Sequence, residues 1–544
     1  MRVGYQTRTK YSEIRLLEQN SAAEAWLILK TRVSETDLGS DLTGVAASGA
    51  LSDNHVERRS VSWDLRQGPK NYVSLVAAQI ASGALSFAAV WFTTRLLGST
   101  GYGAVVAIIA ASQAIGHLAV NWTAVSLSRY GVQEFVETGR LAKSFWTRFW
   151  IFLPNVVLVI GTSPLWLPSL SSLLKLPPRA HFFILGHFLA SAIWIHVQQG
   201  LQGAKLLRLQ ASLLTFERVL VLLIVVACYL SGNASFLTIA LAYIFGPLGA
   251  SCAGLWALRR FVFPISTVDR DLLRRMVKFS LPILPASLVG YMATNYLDAF
   301  FITHYLSGAA LGVYAVAYLI SGTASQLPLL VGTVLMPLFI TLQIDGTDDR
   351  ARRFMLNVLP LLALFWGIAC AFIAVVGAFF FPRIFGEQFL GIGELLWPLM
   401  TAAALAGPIL MGYAPFSNSK SVTYITMIGA IAAAITNIVL NFLLIPKYGL
   451  LGCAWATTAA FAVNTIAVIA LVHWRLLRSS PWILQALLPV VIGAICASMY
   501  ALNFSALGVT LLISGSLALL NRKYVAAGFR MLRGFQRSQS EVRG

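Results

Sequence analysis

Charged side chains are scarce in this 544-residue chain, at 11% of its residues, against about 25% in ordinary globular domains. So few charges cannot cover a water-soluble particle, and a 58% hydrophobic composition with a mean hydropathy of +0.74 points to a membrane protein. Cysteine is sparse as well. All five (Cys228, Cys252, Cys370, Cys453, Cys496) fall within apolar runs, with neither paired nor CxxC spacing. That pattern excludes a disulfide or zinc framework and leaves them as small core hydrophobes. A Gly-rich phosphate loop, a Walker motif and a catalytically spaced carboxylate pair are all missing, which excludes ATP-driven transport by this chain alone. No residue set calls for a metal or a cofactor. Acidic residues number 21 against 40 Lys and Arg, a net charge of +19, and the position of that excess decides whether it means nucleic acid or membrane topology.

Residues 1–70 hold 10 basic and 9 acidic side chains, so this polar stretch contributes almost nothing to the excess. Its low hydrophobicity reads as a disordered cytoplasmic tail. It lacks a secretory signal pattern, so the first apolar run is expected to direct insertion. From there on, segments of about 20 apolar residues recur: roughly 72–97, 102–127, 145–168, 180–202, 210–231 and 235–258, then 279–303, 309–340, 354–382, 390–415, 421–445 and 449–474, and last 482–502 and 505–521. With the N-terminus inside, 34 basic residues fall in alternate cytoplasmic segments, Arg148 among them. Only Lys175, Arg179, Arg383 and Lys447 fall in the opposite loops, and Arg95 and Arg218 lie within helices. The positive-inside rule then gives an even number of spans with both ends cytoplasmic. The excess is a topology signal, and no nucleic acid is implied.

The reading is an all-α polytopic membrane protein of about fourteen transmembrane helices. A polar tail (1–70) precedes a six-helix bundle (71–258), a basic cytoplasmic connector (259–278), a second six-helix bundle (279–475), an extra helix pair (476–521) and a basic cytoplasmic tail (522–544). An internal repeat supports the two bundles. At an offset of 209 residues, Phe92 to Gly103 lies over Phe301 to Gly312, with Phe, Thr, Leu and the final Gly coinciding on the same outer hairpin. Each half has an even number of helices, so the repeats share an orientation, as in transporters with a cavity between two bundles.

These hairpins carry a resemblance. Arg95-Leu96-Leu97-Gly98 with Gly101-Tyr102-Gly103, Phe279-Ser280-Leu281-Pro282 with Asp298 later in the helix, and Gly308-Ala309-Ala310-Leu311-Gly312-Val313-Tyr314 resemble the oligosaccharide flippase or polysaccharide transporter family. So do Asn437, Asn441, Ile445-Pro446-Lys447-Tyr448-Gly449 and Gly452-Cys453-Ala454-Trp455-Ala456-Thr457. The likeness covers roughly 70–520. It implies a member of the multidrug, oligosaccharidyl-lipid and polysaccharide exporter superfamily, which moves a polyprenyl-diphosphate-linked oligosaccharide across the bacterial inner membrane for exopolysaccharide, capsule or lipopolysaccharide synthesis. Polysaccharide polymerase and chain-length proteins are the implied protein partners. A drug or cation antiporter of the same superfamily is the alternative. A membrane glycan polymerase or ligase fits less well, since the outer loops are short and hold only Glu387 and Glu394 as acids.

Ionisable groups inside spans are costly and usually face a cavity or a partner. Arg218 lies about 15 Å into the fifth span at about 1.5 Å per residue, where a guanidinium suits a lipid diphosphate. The structural alternative is a snorkelling or paired arginine. Glu217 points about 100° away, so one of the two is expected to face the cavity and the other an adjacent helix. Asp298 sits about 9 Å inside the outer end of the seventh span. It binds a proton or Na⁺, or it receives Arg95 in an outer gate; the repeat, which sets Arg95 against His304, favours the gate. Asn295, Asn121, Gln198 and Gln199 are candidates for sugar hydroxyls, with interhelical bonding as the alternative. His117, His187 and His196 are expected to be packing histidines, and Pro282, Pro285, Pro328, Pro337 and Pro408 to bend helices.

Overall fold

The computed structural model describes residues 67–478, except 178, 233–234, 282–283, 285–294, 345–347 and 421. The expected tail, the final pair at 482–502 and 505–521 and the basic end therefore lie outside the described residues. Among those residues the regular elements are helices, nine of them long and apolar enough to cross a membrane. Two of the nine each contain two expected spans joined at a glycine. In α1 (Gln67–Ala119) the chain turns at Gly98, with φ 66° and ψ −171°. In α14 (Tyr424–Val472) it turns at Gly449, with φ 59° and ψ −137°. Both positions need the left-handed φ that a β-carbon resists.

Between these lie α2 (Ala124–Thr138), α3 (Ala142–Leu173), α4 (His181–Gly203), α5 (Leu207–Leu230), α6 (Phe236–Val262), α7 (Arg270–Ser280), α8 (Asn295–Tyr305), α9 (Gly308–Ile344), α10 (Asp348–Arg353), α11 (Leu359–Phe385), α12 (Ile392–Pro408) and α13 (Ala414–Ser419). Helix α8 is the later described part of the expected seventh span, whose first residues, Phe279 and Ser280, end α7. The second span stops at Ala119, earlier than the sequence predicts, and after a short 3₁₀ turn at Asn121–Thr123 the chain continues as α2. Lipid-facing character is plain on the outer helices, where Leu165 of α3 is 83% exposed and Trp256 of α6 is 66% exposed. On helices long and apolar enough to span, such side chains suit contact with hydrocarbon or its interface.

The helices pack in two groups. One joins α1, α4, α5 and α6, and the other joins α8, α9, α11, α12 and α14, with α9 lying along α1 between them. Helix α12 runs through the second group with every residue but Glu394 buried. Its Ala402, Ala403, Ala404, Ala406 and Gly407 permit the close approach that drives packing between spans, and Trp366 Nε1 donates to the Ala403 carbonyl at 2.9 Å. Pro408 ends α12 in a π turn at Ile409–Tyr413. A proline lacks the N–H of the regular ladder and crowds the carbonyl four residues before it, so the expected bend takes this form.

Loop contacts sort into two sets that match the alternation of basic charge. At the basic-rich end, Leu141 N donates to Phe261 O at 2.9 Å, Trp146 Nε1 to Val262 O at 2.8 Å and Arg352 to Leu477 O at 3.0 Å, while Lys420 pairs with Asp348. At the basic-poor end, Lys175 Nζ donates to Leu306 O at 2.9 Å and the Ser99 amide to Gln388 Oε1 at 3.0 Å. The expected connector forms α7 at the basic-rich end, with Leu272, Met276 and Ser280 buried. It is capped by Asp269, whose Oδ1 accepts from the amides of Leu272 and Asp271, both at 3.0 Å. The Leu272 amide foremost holds that carboxyl below its ordinary pKa. The cap is therefore at full strength above the carboxylate range and is lost as pH falls through it.

Candidate functional site

A cavity of about 580 Å³ lies between the groups, walled by α1, α4, α5 and α6 and closed on the far side by α9. Arg218 of α5 lies eleven residues from the helix start, about 16 Å along a helix of about 36 Å. Its side chain is 40% exposed, toward the cavity, while that of Glu217 is 7% exposed. Glu217 Oε2 accepts a 2.8 Å bond from Trp194 Nε1 on α4, and its Oε1 stands 3.7 Å from Arg218 Nη1. The division expected from the helical angle is partial: the arginine is exposed to the cavity and the acid bonds the neighbouring helix, while Glu217 also borders the cavity. The two nonetheless stay close enough to attract each other.

Neutral polar groups make up most of the remaining polar wall: Gln79 and Gln113 from the two arms of α1, Gln198 from α4 and Gln326 from α9. Gln79 Nε2 donates to Gln326 Oε1 at 3.3 Å, joining the two groups. His187 also lines the cavity, with its Nδ1 2.5 Å from Ser112 Oγ. Of the expected sugar-binding candidates, Gln198 is on the wall, whereas Gln199 and Asn121 are not among the lining residues. The side chain of Asn295 falls outside the described residues.

The basic-poor end is closed, but not by the ion pair expected from sequence. Arg95 Nη2 donates to the Ile384 carbonyl at 2.7 Å, and Trp91 Nε1 reaches the same oxygen at 3.0 Å. Asp298 is buried elsewhere. Its Oδ2 accepts from Tyr314 OH at 2.6 Å and Thr457 Oγ1 at 3.0 Å, and its Oδ1 from Asn441 Nδ2 at 2.8 Å. Arg95 and Asp298 are thus each satisfied within separate neighbourhoods, and the Arg95–Asp298 gate is not formed. The His304 side chain is exposed, and its carbonyl accepts from Lys175 at 3.4 Å. Closure comes instead from the repeated hairpins. A β-carbon at Gly103 would overlap the Gly308 carbonyl oxygen, and one at Gly312 would overlap that of Ser99. Since Gly312 is 209 residues beyond Gly103, and Gly308 is 209 beyond Ser99, the two contacts are symmetry mates of one another.

Two groups escaped the sequence reading. Arg148, counted there with a cytoplasmic loop, is fully buried. Its Nε donates to Thr123 O at 3.2 Å, its Nη1 lies 2.8 Å from His196 Nδ1, and its guanidinium lies over the Phe152 ring. The other is the gathering of neutral donors around Asp298, a residue the sequence already offers as a proton or Na⁺ site. Asn437 and Asn441, four residues apart in an apolar run, share one helix face, and Asn441 Nδ2 also donates to Asn437 Oδ1 at 3.0 Å. One carboxylate among amide and hydroxyl oxygens is a donor set suited to a proton or a hard monovalent cation rather than to a transition metal.

Helix spans packed in two groups about a central cavity give the fold of a polytopic transporter, one shared with solved flippases and multidrug transporters. The lipid II flippase MurJ in an inward closed conformation superposes with a TM-score of 0.63 at 11% identity, covering 84% of this chain and 100% of that one. An inward-facing multidrug resistance MATE family transporter of the superfamily gives 0.53 at 14% identity, over 76% and 98% of the two chains. At such identities the likeness is one of fold. A family model described as polysaccharide biosynthesis protein matches residues 69–343, half of the sequence, and the chain belongs to that family. The "Probable low-salt glycan biosynthesis flippase Agl15" of Haloferax volcanii is 22% identical over 219 residues, 39% of this chain and 44% of that protein. The match thus spans less than half of that relative's length.

Proposed function

We propose that the chain is a flippase that carries polyprenyl-diphosphate-linked oligosaccharide from the cytoplasmic to the outer leaflet of the bacterial inner membrane, by alternating access between its two helix groups. The observation that carries this reading is Arg218, exposed inside a membrane-depth cavity whose other polar walls are mostly amides and hydroxyls, with Glu217 and His187 beside them. A guanidinium offers a diphosphate paired, charge-assisted bonds. The amides suit sugar hydroxyls. The basic-rich end and both termini are assigned to the cytoplasm by the positive-inside rule. In this reading the Asp298 cluster is the coupling site, taking up a proton or Na⁺ as the groups rock, and the translocated unit passes to polymerase and chain-length proteins.

A drug or cation antiporter shares the fold, as the MATE likeness illustrates. The cavity's described lining holds one carboxylate, Glu217, already engaged by Trp194 and Arg218, which leaves a cationic drug without a counter-charge. Cells depleted of the chain should accumulate lipid-linked oligosaccharide on the inner leaflet. Loss of drug tolerance alone, with the lipid pool unchanged, would reject the flippase reading in favour of the antiporter.

A further inference from the structure

The cavity's charges limit the glycan it can accept. Arg95 is turned to the Ile384 carbonyl, Arg148 is buried on Thr123 and His196, and Asp298 is enclosed by its own donors. Of the described Asp, Glu, Lys and Arg residues in the spans, only Glu217 and Arg218 line the cavity. The two undescribed apolar stretches, 285–294 and 482–521, contain no Asp, Glu, Lys or Arg. Once a diphosphate engages Arg218, the described lining of the cavity offers no second Lys or Arg for a further anion, and Glu217 adds a like charge. An acidic sugar would therefore lose its hydration with no repayment. The remaining wall points the same way. Gln79, Gln113, Gln198 and Gln326 each both donate and accept, as sugar hydroxyls do, and Trp194 and Tyr318 add aromatic surface.

We infer that the site selects glycans whose first two sugars after the diphosphate are uncharged, hexoses or N-acetylhexosamines, and discriminates against uronic acids there. This rests on the flippase reading, and the test separates the two. Proteoliposomes of the full chain are loaded with polyprenyl-diphosphate-linked glucosyl-N-acetylglucosamine or its glucuronosyl counterpart, and initial flipping rates are compared. The neutral lipid should cross roughly tenfold faster or more, the scale set by an unpaired charge in a low-dielectric site. Gln113→Arg, which supplies a cation, should narrow that ratio. Equal wild-type rates for the two lipids would overturn the inference while leaving the flippase standing, and that comparison needs no variant to fold. A variant that folds and flips the neutral lipid but leaves the ratio unchanged would also count against it. Failure of both lipids to cross would reject the flippase reading and the inference with it.

Discussion

Replacing Gly312 by valine should pry apart the closed end of the molecule. Its β-carbon would overlap the Ser99 carbonyl oxygen, a backbone atom that cannot rotate away, so the strain falls on the contact between hairpins. Overpacking of this kind costs about 1–3 kcal/mol, which shifts an equilibrium between closed and open ends by about 5- to 150-fold toward open. Gly103→Val should act the same way through the Gly308 carbonyl. Because the two contacts belong to one interface, the double variant should resemble either single one rather than doubling the effect. The assay is modification of a cysteine at Gln113, in a background with the five native cysteines replaced, by a membrane-impermeant maleimide applied from the Lys175 side. Gly161→Ala serves as control, since nothing lies within 4 Å of that position. Unchanged labelling in both valine variants would refute the clasp, as would fully additive labelling in the double variant.

Other perturbations separate the remaining roles. Charge exchange between Arg95 and Asp298 should fail to restore transport lost in either single variant, because Arg95 bonds a carbonyl and Asp298 bonds neutral donors; rescue in a transport assay would revive the ion-pair gate. Asp298→Ala strands the Tyr314, Asn441 and Thr457 donors and should destabilise the purified protein by about 3 kcal/mol or more, read as a large fall in Tm. Trp194→Phe removes a charge-assisted bond to Glu217 worth about 1.5–3 kcal/mol. It should weaken binding of the neutral lipid less than Arg218→Ala does, a ranking that equilibrium binding would check.

Much of the fold was legible because bilayer thickness and backbone hydrogen bonding leave few options for an apolar run. The alternation of basic loops foretold which connections share an end, and Lys420 with Asp348, or Lys175 with Leu306, bear that out. The glycines of the offset repeat were visible too, yet their use was not: a one-dimensional match shows that Gly103 and Gly312 correspond, not that they touch each other's hairpin. Arg148 was misread because a cation near a helix start looks like a loop charge until the Asn121–Thr123 turn and α4 are seen to hold it. Asp298 was assigned the wrong partner for a related reason. Charge complementarity suggested Arg95, whereas three neutral donors supplied by α9 and α14 already fill its oxygens. Arg218 and Glu217 were legible because a helix fixes the angle between neighbours, whatever surrounds it.

The central claim, that Arg218 holds the diphosphate of a lipid-linked oligosaccharide during its passage, is tested most directly by flipping of a polyprenyl-diphosphate-linked neutral disaccharide in proteoliposomes. Wild type should flip it, Arg218→Ala should be slower by about 10- to 100-fold, the worth of one charged bond pair, and Arg218→Lys should fall between. Equal rates in wild type and Arg218→Ala would contradict the account.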